Sequence, residues 1–97
     1  MDRSALEAEW LTLTRESLPS MARERDWPIR LDHCFMRVLL DHVYQDAWYA
    51  HVKGRPAYRH VPDDALARAV EAGRAALAGE ANLAAMNQAS LRWRGKG

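Results

Sequence analysis

A chain of 97 residues, 48% hydrophobic and 28% charged with a formal net charge of +1, has the length of one domain and the composition of a folded globular protein. That balance excludes a long disordered chain, and it excludes a strong overall field that would draw the molecule to nucleic acid or a membrane surface. One cysteine, Cys34, rules out an internal disulfide and suits a reducing compartment.

The first predicted helix opens on Ser4-Ala-Leu-Glu7, a capping box in which the Ser4 hydroxyl accepts from the Glu7 amide and Glu7 reaches back. Leu6, Trp10, Leu13 and Thr14 form its apolar face. Pro19 predicts a break and a separate short helix from Pro19 to Arg25, which Trp27-Pro28 terminates. Asp32 is the expected N-cap of a central helix that runs to Tyr49 or Ala50. A basic loop follows from His51 to His60, punctuated by Gly54 and Pro56. Pro62-Asp63-Asp64 starts the next helix, with acidic groups at its positive end. It extends to about Ala78, carries Leu66, Val70, Gly73 and Leu77 along one stripe, and has Gly79 just past its end. Gly73 suggests a close helix approach, with the central helix as the expected neighbour. Asn82 caps a last helix that ends at Trp93, and Arg94 to Gly97 reads as a frayed basic end.

The expected fold is therefore all-α: a single domain spanning 1–97, built as a compact bundle of four to five helices around a central buried helix. The reason is the segment DHCFMRVLLDHVYQDAWY, Asp32 to Tyr49. Cys34, Phe35, Met36, Val38, Leu39, Leu40 and Val43 make it apolar almost all the way round, so no single neighbour buries it, and contact with every other helix is expected.

Against that apolar surface, His33, Arg37, Asp41, Tyr44 and Trp48 share one arc of roughly 80° on a helical projection. Arg37 and Asp41 are four apart and can pair. His33, one turn above Arg37, could hand on or take up a proton as imidazole does near neutral pH. A planar or anionic ligand could bridge Arg37 and stack on Trp48 or Tyr44. The loop residues Arg55, Tyr58 and Arg59 begin a few positions after the central helix and can fold back over it. The candidate ligand site is thus His33, Arg37, Asp41, Tyr44, Trp48, Arg55, Tyr58 and Arg59. The competing reading is a solvated stripe with an ordinary ion pair.

Other constellations are weaker. Cys34 near a helix start and beside His33 has the arrangement of an activated nucleophile, but it projects toward the apolar side, which predicts a structural cysteine. His33, Cys34 and Asp41 lie near one another without metal-site spacing, so no metal is expected. His42 and Asp46 are expected to satisfy each other at i, i+4. Lys53, Arg55, Tyr58, Arg59 and His60, with Arg92, Trp93, Arg94 and Lys96, mix arginine and aromatic groups that can grip phosphates and stack on bases, with no recognised nucleic-acid-binding motif.

At RLDHCFMRVLLD, GRPAYRH and NQASLRWRGKG the chain resembles a family of small, uncharacterised bacterial proteins with D-H-C-F-x-R and S-L-x-x-R-G-K segments. The resemblance covers about residues 27 to 96. Some members carry the label GCN5-related acetyltransferase, which implies acetyl-CoA binding on a β-sheet fold with a Q/R-x-x-G-x-G/A loop. The nearest stretch here, Gly73 to Gly79, lies in a helical pattern and lacks that glycine spacing.

Three functional readings follow: a small binding or accessory protein for an anionic or planar ligand, an enzyme using His33 as acid/base with Asp41 or Arg37 in support, and a nucleic-acid-binding module. No cofactor is implied and no catalytic residue is assigned. No apolar run approaches the ~18 residues of a membrane span. The acidic, amphipathic N-terminus has no signal-peptide pattern, so the cytoplasm is the expected location.

Overall fold

The computed structural model describes residues 2–95, and among them the regular structure is entirely helical, with no strand. Helix α1 is Arg3–Thr12, a wide π-helical turn follows at Leu13–Ser17, and α2 is Leu18–Arg25. Helix α3 is Asp32–Tyr44, α4 is Asp63–Leu77 and α5 is Leu83–Trp93. Single 3-10 turns lie at Trp48–Ala50 and Ala57–Arg59. None of the described helices is long and apolar enough to cross a membrane.

The N-terminal region departs from the expected break at Pro19. Helices α1 and α2 are joined through the π-helical turn instead of being separate. Within it the Leu18 amide donates to the Leu13 carbonyl, five residues back, and Pro19 follows where the missing amide and bulky ring would crowd an α-helical ladder. Buried Thr14 donates its hydroxyl to the Trp10 carbonyl at 2.9 Å, giving that acceptor a partner inside the widened turn. The cap also differs. Asp2 rather than Ser4 closes the start, accepting from the Ser4 amide at 3.0 Å, and Glu7 is held by Arg3 at 2.8 Å.

Helix α3 stops at Tyr44, several residues short of the expected Tyr49. Gln45 takes the left-handed conformation at φ 54°, and its side-chain amide donates to the free His42 carbonyl at 2.7 Å. Glycine usually marks such a stop; here glutamine fills the position, so composition carried no signal. At the other end Leu31 is the N-cap, and Asp32 sits inside the helix with its carboxylate accepting from the His33 amide at 2.7 Å.

Phe35, Val38, Leu39 and Leu40 are fully or almost fully buried, as the nearly all-apolar circumference requires. Helix α3 packs against α4, α5, α2 and the wide turn, while α1 packs chiefly on α4. The expected packing of the central helix is thus seen against α2, α4 and α5, with α4 the chief neighbour of α1. Gly73 does mark a close approach. A Cβ there would stand 2.4 Å from a methyl of Leu13, on the wide turn, and 3.3 Å from one of Leu39, on α3. The closest neighbour is thus the wide turn, with the central helix second.

Helix α4 ends as predicted, with Ala78 as C-cap and Gly79 at φ 77° beyond it. Asn82 caps α5, accepting from the Ala85 amide at 3.0 Å.

Candidate functional site

Asp41 is the only fully buried carboxylate among the described residues. A charge there needs acceptor sites filled and an opposite charge close by. Helical reach offers Arg37, but Arg37 does not take it. The Asp41 carboxylate instead accepts from Arg94 through Nε at 2.8 Å and Nη2 at 3.1 Å, from the Ser90 hydroxyl at 2.6 Å, and from the Trp48 amide at 2.8 Å. Four donors on two oxygens tie α3 to the turn that follows it, to α5 and to the residue just past α5. Arg94, expected in a frayed end, is largely buried, and its guanidinium also lies 5.1 Å from the centre of the Tyr49 ring.

Arg37 turns toward α5. Its Nη1 donates to the Ser90 hydroxyl at 2.7 Å and its Nη2 to the Asn87 side-chain oxygen at 2.8 Å. Both partners are neutral. Of the five N–H groups of a guanidinium, two are used in these bonds, and among the described residues no carboxylate pairs with it.

Beside this network lies an open groove of ≈ 350 Å³. His33, Arg37, Arg55 and Arg94 supply its polar lining. Met36, Leu40, Trp48, Pro56 and Ala57 supply the apolar part. Trp48 reaches the groove although it has left the helix, because the Asp41 carboxylate holds its amide and fixes the turn that carries it. The 51–60 loop folds back far enough to bring Arg55, Pro56 and Ala57 to the rim.

The structure therefore brings His33, Arg37, Trp48 and Arg55 to one groove and adds Arg94, whose place in the basic C-terminal stretch gives no sign of it. Asp41 lies beneath the site, enclosed by its donors. Three expected members do not line it. Tyr44 stacks on His51, ring centres 4.9 Å apart and planes 8° from parallel. Burial, helped by the charge of Asp64, pushes its phenol above the ordinary value. Tyr58 packs against the core and offers its carbonyl to Arg3 at 2.8 Å. Arg59 is exposed and absent from the groove. Tyr58 and Arg59 lie within the 3-10 turn Ala57–Arg59, whose tight winding turns them away from the rim that Ala57 lines.

His33 is exposed and its ring lies 3.5 Å from Asp32, its chain neighbour, not from Asp41. Cys34 is half-buried and packs on the core. The expected His42–Asp46 pair does not form. The early end of α3 takes Asp46 out of helical register, and it pairs with His51 at 3.2 Å while accepting from the Ala47 amide at 2.8 Å. Among the described residues no cluster of histidine, cysteine and carboxylate side chains converges as a metal site. Lys96, part of the basic surface read from the sequence, lies outside the described residues.

A second groove of ≈ 340 Å³ separates α1 from α4. Its rim is acidic, with Asp2, Glu9 and Glu71, and its one guanidinium, Arg74, is paired with Glu9. It offers no aromatic surface and no unpaired cation.

Comparison with known protein families, curated proteins and solved structures finds no match for this chain.

Proposed function

We propose that this is a small binding protein whose groove beside α3 receives an anionic ligand. The observation that carries the reading is Arg37, a half-buried guanidinium that lines the groove and has only neutral partners. A cation in that position is stabilised by an external anion. Arg55 adds a second positive charge at the rim, and Trp48 adds a face on which a planar group can rest. Arg94 contributes less, because its charge is matched by Asp41.

The acid/base reading loses support because His33 stands in solvent, its ring near its exposed chain neighbour Asp32 and not near Asp41. The nucleic-acid reading loses support because Arg94 and Tyr58 are turned into the fold and do not extend a basic face. The single cysteine favours a reducing compartment, and we place the protein in a bacterial cytoplasm.

The test is thermal unfolding across a panel of small anions. A bound anion raises the unfolding temperature by linkage. Arg37→Ala is expected to abolish the shift while the fold persists, and Arg92→Ala, on the exposed side of α5, is expected to retain it. Absence of any anion-dependent shift in the unsubstituted protein overturns the reading.

A further inference from the structure

The groove's charge count and its lining together narrow the ligand. We infer that the groove selects an aromatic monocarboxylate, with the carboxylate on Arg37 and the ring between Trp48 and the Pro56 side of the loop. This inference rests on the reading of the groove as an anion site and goes beyond it in naming the class of ligand.

Charge is the first argument. Three arginines line the groove, but the Asp41 carboxylate neutralises Arg94, and Arg55 is exposed to solvent. Arg37 and Arg55 have no carboxylate partner among the described residues, and of the two only Arg37 is half-buried. A single negative charge balances it. A phosphate dianion would need the solvent-exposed Arg55 for its second charge and would set a hydrated group against Met36, Leu40 and Trp48, where burying polar surface is costly.

The donor geometry is the second argument. Arg37 has three N–H groups left after its bonds to Ser90 and Asn87. A planar fork of this kind matches the two oxygens of a carboxylate. Phosphate sites commonly use a cradle of free backbone amides at a helix start. At α3 the nearest such amide, that of His33, is already taken by the Asp32 carboxylate, which also puts a negative charge beside that end. The groove therefore lacks the usual cradle at the position nearest to it.

The apolar lining is the third argument. Met36, Leu40, Trp48, Pro56 and Ala57 make up most of the groove wall. Trp48 supplies an aromatic ring and Pro56 a rigid one, and the Met36 thioether adapts to a ring edge. A volume of ≈ 350 Å³ accommodates a small ring system and is at the lower end for ligand pockets. A bare inorganic anion would leave this surface uncovered.

The experiment titrates the whole protein with 1-naphthylacetate, its neutral amide 1-naphthylacetamide, inorganic phosphate and adenosine monophosphate. Heat of binding is read by calorimetry. The Trp48 indole N–H resonance, assigned through Trp48→Phe, reports the location. The acid is expected to bind at least about tenfold more tightly than the amide, a difference of one charge-assisted contact. Arg37→Gln should remove that preference. Arg55→Gln, at an exposed residue with no side-chain bond among the described residues, should weaken the acid about threefold, and it provides the charge test if Arg37→Gln does not fold. Equal affinity for acid and amide overturns the inference, and so does an unmoved Trp48 resonance. Preference for phosphate or adenosine monophosphate, lost in Arg37→Gln, also overturns it but leaves the anion site standing. No binding by any of the anions removes both.

Discussion

Arg94 closes two hydrogen bonds on the carboxylate of Asp41, a residue 53 positions earlier in the chain. The pair fastens the end of α5 to the last turn of α3. It also decides the electrostatics of the groove, since it cancels one guanidinium and leaves Arg37 as the half-buried cation without a counter-charge.

Removing the cation should expose how much depends on this pair. Arg94→Ala leaves Asp41 buried with Ser90 and Trp48 as its remaining donors, and it should destabilise by about 3 kcal/mol, the lower end for breaking a buried pair. Arg94→Lys should recover only part of this, because an ammonium cannot reproduce the two-pronged contact. Urea unfolding followed by circular dichroism measures both. A loss under 1 kcal/mol for Arg94→Ala would show that the pair is solvated.

Gly73 and Leu13 make a second coupled pair. Gly73→Ala gains about 1 kcal/mol in helix propensity. The added methyl, however, meets Leu13 inside the core and should cost more than that gain, giving a net loss of about 1–2 kcal/mol. In a Leu13→Ala background the same change should become stabilising. The double-mutant cycle, measured by chemical denaturation, separates the clash from the propensity.

Phe35→Ala and Leu39→Ala should each cost about 3 kcal/mol, since both side chains are fully enclosed and their removal leaves cavities. Val43→Ala, on a half-buried residue, should cost less. Midpoints of urea unfolding rank the three.

Tyr44 gives the expected alkaline behaviour. Burial holds its phenol above the ordinary value of 10.0, so the folded state keeps its proton longer than the unfolded chain does. The contribution to stability is fully present below that value and is lost as pH rises through the higher, folded one. Tyr44→Phe cannot ionise and should flatten the decline in unfolding temperature above pH 10, relative to the unsubstituted protein. An identical decline in both would assign it to other groups.

Local signals account for much of this architecture. The all-apolar circumference of the 32–44 segment, the caps at Asn82 and Gly79, and the acidic start of α4 are short-range features, and each appears where nearest-neighbour chemistry puts it. The misses are also physical. Pro19 ends a helix only if the ladder stays α-helical, and the wide turn before it relieves the clash. Gln45 ends α3 without glycine, so nothing local marks the end of the helix, and Asp46 and Trp48 leave the helical register that their spacing predicts.

At the candidate site, helical spacing alone puts His33 one turn from Arg37, and Arg37 one turn from Asp41, on α3. Their partners are set by the packing of α5 and the turns around them. Helical spacing permits the Arg37–Asp41 pair, but a buried carboxylate is satisfied best by the arrangement that fills most of its acceptor positions. Ser90, Trp48 and Arg94 together do so, and they converge on Asp41 only because α5 packs against α3. Partner choice between residues some fifty positions apart is set by packing, and no local pattern encodes it.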